Sequence, residues 1–172
     1  MGVFLLLPFF LLRFGLLARL DRGAVGRAAY FAPMRRGERA AYWVYQLSNI
    51  AILACILFAK VRTDLPLLFW GGLALYTASL GLLALSVIAF AAPSEDGVNR
   101  SGVYRLSRNP MYLAYFLYFL GCALLARSPL LAVLVPVFQI SAHWIILAEE
   151  RWCIRRFGGA YIQYTQTVRR YL

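Results

Sequence analysis

The chain has 172 residues, 62% of them apolar and only 15% charged, which excludes an ordinary soluble domain, where about 25% of residues carry charge. Its net charge of +11 sits mostly in the gaps between apolar blocks, so it reports membrane orientation and contact with anionic headgroups, and no nucleic-acid partner is expected. Three dispersed cysteines (Cys55, Cys122, Cys153) offer neither a disulfide framework nor metal-ligand spacing.

Residues 3–18 form the first apolar block, interrupted by Pro8 and Arg13. It has no basic leader and no small-residue cleavage site, so a retained helix is expected and not a signal peptide. Residues 40–59, 65–94, 109–126 and 128–148 contain no Asp, Glu, Lys or Arg. Each is long enough to cross a hydrocarbon core of about 30 Å. The expectation is an all-α membrane protein, a bundle of about five helices with spans near 3–18, 40–59, 65–92, 109–126 and 128–148. A cytosolic helical tail, residues 149–172, follows. No internal repeat or long linker divides the chain.

Cations alternate along it. Six arginines lie in 19–39, Lys60 and Arg62 in the next loop, three arginines in 95–108, Arg127 alone in the fourth, and five in the tail. Fourteen of these seventeen cations fall on one side if the N-terminus is outside and 19–39, 95–108 and 149–172 are cytoplasmic. The third span is long enough that tilt, or an interfacial end near Ala91-Ala92-Pro93, is expected. Only Arg127, Ser128 and Pro129 separate the last two spans, which predicts a tight antiparallel hairpin with Asn109 and Glu149 at the same end. The last span should continue as a helix to Gly158-Gly159, a C-cap. Tyr161, Tyr164, Val168 and Tyr171 then share one face of a short helix.

Polar groups within spans are costly and face the bundle interior. Gln139, His143 and Glu150 share one face of the last span, and Tyr42, Gln46 and Asn49 one face of the second. Asn109, Tyr112, Phe116 and Phe119 form an aromatic stripe. Together they suggest a polar, aromatic-lined cavity open to the cytoplasm and closed by the tail. Each piece also has a plainer reading. Asn-Pro is a good helix start, His143 a hydrogen-bonded bundle residue, and Gln46 and Asn49 interhelical glue. Tyr112 can be simple packing, the arginines of 95–108 topology anchors, and Glu149-Glu150 a solvated pair beside Arg151, Arg155 and Arg156.

The run GVYRLSRNPMY (Gly102 to Tyr112), a helical hairpin, and then EERWCIRRFGGAYIQYTQTVRRYL (Glu149 to Leu172) stand in a distinctive order. Over residues 98–172 this resembles the integral membrane methyltransferases typified by isoprenylcysteine carboxyl methyltransferase and phospholipid N-methyltransferase. The resemblance implies S-adenosyl-L-methionine bound between the last two spans and the tail. Arg108, Asn109, Pro110, Met111 and Tyr112 would line its site, with Tyr104 and Arg105 at the edge, Tyr115 and His143 nearby, and Glu149 or Glu150 at its polar end. Arg108 suits a carboxylate, and Tyr112 or Tyr115 the adenine or the sulfonium. Glu150, His143 and Arg108 are the candidate catalytic residues.

The implied activity is methyl transfer to a lipophilic or lipidated acceptor, an isoprenylcysteine-like carboxylate or thiol, in contact with membrane lipid. The alternatives are N-methylation of a phospholipid amine and a non-catalytic membrane scaffold or accessory subunit. Two positions depart from the family pattern. Asn109 stands where carboxyl methyltransferases usually have His and phospholipid-type relatives often have Asn, and Ala114 occupies a position that is commonly Gly.

Overall fold

A segment in lipid must satisfy its own backbone hydrogen bonds, and a helix does so. The computed structural model describes residues 2–172, and among the described residues there is no strand. Helix α1 spans Val3–Leu20, with a π-helical turn at Leu11–Leu16. It is followed by α2 (Arg22–Ala29), α3 (Arg39–Phe58, entered through a 3-10 turn at Arg36–Glu38), α4 (Pro66–Ala91), α5 (Pro110–Ala126), α6 (Pro129–Phe157) and α7 (Gly159–Thr167). α1, α3 with its entry turn, α4 and α6 are long and apolar enough to cross a membrane. The 17-residue α5 is at the lower limit of that length. The molecule is an all-α membrane bundle.

The boundaries have local causes. Pro66, Pro110 and Pro129 occupy first-turn positions, where the missing N–H costs nothing. Helix α4 ends at Ala91, and Ala92 has left the helical region (φ −118°, ψ 72°), as a following proline, here Pro93, favours. Its 26 residues give a length of about 39 Å. Arg127 takes the left-handed conformation, φ 48°, and the Ser128 hydroxyl accepts from the Leu131 N–H at 3.3 Å. The chain therefore reverses within two residues, forming the expected hairpin. Helix α6 continues to Phe157 and stops at Gly158, φ 56°.

Helices α4 and α5 pack backbone to backbone. A Cβ on Gly121 would stand 2.7 Å from the Tyr76 nitrogen, so only glycine permits this approach. Phe138 of α6 stacks on Tyr45 of α3, centroids 5.0 Å apart, and meets Phe119 of α5 edge-on at 5.1 Å. The hydroxyls of Tyr76 and Tyr118 both donate to the Leu5 carbonyl at 2.9 Å, fixing α1 against α4 and α5. At one end, the Arg62 N–H donates to the Leu125 carbonyl and Arg127 pairs with Asp64. At the other, Arg151 of α6 pairs with Glu38 at 2.5 Å.

One expectation about the tail is corrected. Helix α7 ends at Thr167, and Val168 is extended (φ −123°, ψ 134°), so Val168 and Tyr171 do not continue the face of Tyr161 and Tyr164. The last residues leave the helix because their carbonyls are taken up by the segment that precedes α5.

Candidate functional site

The 3-10 turn Gly102–Arg105 leads into α5 and turns Tyr104 inward, where the Tyr164 hydroxyl donates to its carbonyl at 2.6 Å. The residues that follow hold the tail. The Arg108 N–H donates to the Arg169 carbonyl at 2.9 Å, and Arg108 Nη1 to the Thr165 carbonyl at 3.0 Å. Asn109 Nδ2 and Ser107 Oγ both donate to the Arg170 carbonyl, at 3.1 and 3.3 Å. Asn109 makes no side-chain cap on α5 and spends its amide on the tail instead.

Two turns from the end of α6 stand the two glutamates. Glu150 is 7% exposed and lies between two guanidiniums. Arg108 Nη2 is 2.9 Å from its Oε1, while Arg170 donates to Oε2 through Nε at 3.0 Å and Nη2 at 2.8 Å. A carboxylate this buried needs such compensation. Arg170 in turn is held above its ordinary pKa by the Glu150 hydrogen bonds. Glu149 Oε1 accepts from the Tyr112 hydroxyl at 2.8 Å. Burial holds the phenols of Tyr104, Tyr161 and Tyr164 above their ordinary pKa, so at neutral pH they remain protonated donors.

These groups face a cavity of about 520 Å³, within the range of small-molecule sites. Of the residues singled out in the sequence, Tyr104, Arg108, Asn109, Met111, Tyr112, Tyr115, Glu149 and Glu150 line it. Arg105 is exposed and Pro110 is buried at the start of α5; neither is part of the lining. His143 also stands apart, with Nδ1 2.7 Å from the Tyr171 hydroxyl. Phe119 is in the core, and Gln46 Nε2 is 3.4 Å from the Tyr42 hydroxyl. On α3 it is Tyr45 that reaches the cavity.

Sequence reasoning missed the contributions of the first half of the chain and that of Asn99. Arg13 of α1, Arg27 of α2, Tyr30 and Phe31 after α2, and Asn99 all line the cavity. Arg13 was the visible signal, an arginine inside an apolar block, and it registered only as a weakness in the span. Two buried polar atoms at the cavity lack a hydrogen-bond partner: Arg108 Nε and Asn99 Oδ1. Such atoms cost free energy unless something answers them. The site thus offers carboxylates, the guanidiniums of Arg13, Arg27 and Arg108, and several aromatic faces converging at the end of a membrane bundle.

Residues 90–160 match the family described as phospholipid methyltransferase. Protein-S-isoprenylcysteine O-methyltransferase of the yeast Saccharomyces cerevisiae is 32% identical over 77 residues, 44% of this chain and 32% of that protein. The match spans about a third of the length of that curated relative. No solved structure matches the chain. Both sequence matches support the resemblance to the integral membrane methyltransferases.

Proposed function

We propose that this chain, which matches the phospholipid methyltransferase family over residues 90–160, moves a methyl group from S-adenosylmethionine to a lipophilic acceptor. The observation that carries the reading is the meeting of the Arg108–Asn109 corner with the Glu149–Glu150 corner across one cavity at the end of a membrane bundle. The residues present fit that donor. Glu149 and Glu150 can accept from its ammonium and ribose hydroxyls. Tyr112 and Tyr115 offer aromatic faces to a cation or an adenine ring. Arg108 Nε and Asn99 Oδ1, buried and without aligned partners, are groups that a polar ligand would satisfy. When bound, the donor supplies an electrophilic methyl group on a sulfonium.

The work of the chain is then to align and to exclude water. Tyr104, Tyr161 and Tyr164 stay protonated and wall the cavity, and the strap formed by residues 165–170 covers the Arg108 corner. A dry, oriented pair of reactants reacts with a high effective molarity. By the distribution of cations the cavity faces the cytoplasm and the N-terminus lies outside. An acceptor entering from the membrane as an ionised carboxylate or thiolate needs no general base.

A second reading is N-methylation of a phospholipid amine. The description of the matched family and the Asn109-Pro110-Met111-Tyr112 form of the motif favour it. Membranes containing the protein, incubated with methyl-labelled S-adenosylmethionine, should yield a labelled lipid whose mass identifies an ester, a thioether or an N-methyl headgroup. If no labelled product forms and S-adenosylhomocysteine does not stabilise the protein thermally, the scaffold reading stands instead.

A further inference from the structure

We propose that a groove between α3 and α6 holds one anionic phospholipid as a resident ligand. This is a second site, and it does not depend on the methyltransferase reading. The groove has a volume of about 730 Å³ and shares no lining residue with the cavity. Ala41 and Val44 of α3 form one wall, and Val137, Ile140 and Trp144 of α6 the other. Spacings of three and four place these α6 residues on one stripe. The Ser141 hydroxyl among them is spent on the Val137 and Phe138 carbonyls, so the floor is apolar. Both α3 with its entry turn and α6 are long and apolar enough to cross a membrane, so the hollow opens to hydrocarbon. Left empty it would forfeit the contacts of its lining, and an acyl chain restores them.

Charge identifies the headgroup. Arg35 lines the groove at its polar end, and Arg36 and Arg39 stand exposed beside it. Among the described residues, none of the three pairs with a carboxylate. Glu38, the acid of the lining, is already answered: it pairs with Arg151 at 2.5 Å and accepts from the Arg35 N–H at 3.0 Å. Uncompensated cations therefore stand over an apolar slot. Trp144, 45% exposed, adds an amphipathic ring of the kind that sits at headgroup depth. A phospholipid of net negative charge meets both halves at once, its phosphate against Arg35 and its chain along Val44 and Ile140. A zwitterionic lipid brings its own ammonium to the same cations and is disfavoured. In the orientation proposed above, this end lies in the cytoplasmic leaflet, where acidic lipids concentrate. A second copy of the chain fits less well. Two copies burying this face symmetrically in one bilayer would be related by an axis along the membrane normal. Their arginine clusters would then meet at the same depth and repel.

In the test, purified protein in detergent is titrated with phosphatidylglycerol, phosphatidylcholine or inorganic phosphate. Bound lipid is counted by native mass spectrometry, and the melting temperature is recorded on the same samples. Wild type should retain one phosphatidylglycerol, roughly tenfold or more tighter than phosphatidylcholine, and melt higher with it. Inorganic phosphate should not raise the melting temperature. Each cation near a headgroup contributes about fivefold in affinity, so Arg35→Gln with Arg36→Gln should weaken phosphatidylglycerol by roughly twentyfold. Arg155→Gln with Arg156→Gln removes the same charge from exposed positions outside the groove and should leave binding nearly unchanged. Ala40→Phe places a ring in the groove from an exposed position and should abolish retention of either lipid. The arginine pairs are exposed, so their comparison stands even where Ala40→Phe lowers stability. The proposal is overturned if both arginine pairs weaken binding equally, since the attraction would then be spread over the whole face. Equal retention of phosphatidylcholine by wild type, or full retention by folded Ala40→Phe protein, also overturns it. So does stabilisation by inorganic phosphate equal to that by lipid, or a dimer that Ala40→Phe dissolves, because the occupant would then be a free anion or a second copy.

Discussion

Arg108 holds three partners at once: the Glu150 carboxylate, the Thr165 carbonyl and, through its backbone, the Arg169 carbonyl. A planar fork can reach the first two in different directions, and an ammonium cannot. Arg108→Lys should therefore weaken S-adenosylhomocysteine binding several-fold by calorimetry. If lysine serves as well, Arg108 is a topology anchor only. Glu150→Gln would leave two guanidiniums facing a neutral amide. The expected cost is about 1–3 kcal/mol of stability, with a several-fold loss of S-adenosylhomocysteine affinity, and unchanged affinity would reject a binding role for Glu150. Tyr112→Phe removes the hydroxyl that donates to Glu149. A buried carboxylate deprived of a donor should lower stability by about 1–3 kcal/mol, read from thermal melting with and without ligand.

At the level of elements, the helices act through their ends and their seams. The α4–α5 seam depends on Gly121, whose place no larger residue can take without moving the Tyr76 backbone. Gly121→Ala is expected to destabilise by about 1–3 kcal/mol through overpacking. Because α5 carries Arg108 and Asn109 at its entry and Tyr112 and Tyr115 along its first turns, the same substitution should also reduce ligand affinity. A melting curve identical to wild type would mean that the two helices separate more readily than their contact implies. The α5–α6 hairpin matters for a different reason. Its two-residue reversal at Arg127 and Ser128 forces the two helices antiparallel, and that brings Asn109 and Glu149 to the same end.

At the level of the whole molecule, the tail is the element that completes the cavity. Tyr161 and Tyr164 enter its wall from α7, and Arg170 bridges back to Glu150. Truncation after Thr167 removes Arg170 and Tyr171 together, taking one of the two cations from Glu150 and the hydroxyl from His143. The segment 104–109 should then exchange its amide hydrogens faster, and S-adenosylhomocysteine should bind more weakly. Protection equal to that of the full chain would show that the strap is incidental.

Much of this arrangement was legible in the residues. Uninterrupted apolar blocks set the helices, because lipid leaves the backbone no other partner. Asn109-Pro110 marked a helix start, Gly158 marked a stop, and the short link at 127–129 dictated the hairpin. The same hairpin placed Asn109, and with it the first turn of α5, at the end where Glu149 stands. What periodicity could not convey was the partnership between distant segments. Arg13 reaches a cavity built largely from the second half of the chain, Tyr45 replaces Tyr42 as the residue of α3 that faces it, and His143 finds Tyr171 and leaves the cavity to others. The tail departs from its helix at Val168 to satisfy carbonyls against Arg108 and Asn109. Local pattern records which face of a helix is costly to expose to lipid. Which of several polar groups meet there depends on how the helices rotate and cross, and that is decided by side-chain packing across the whole bundle.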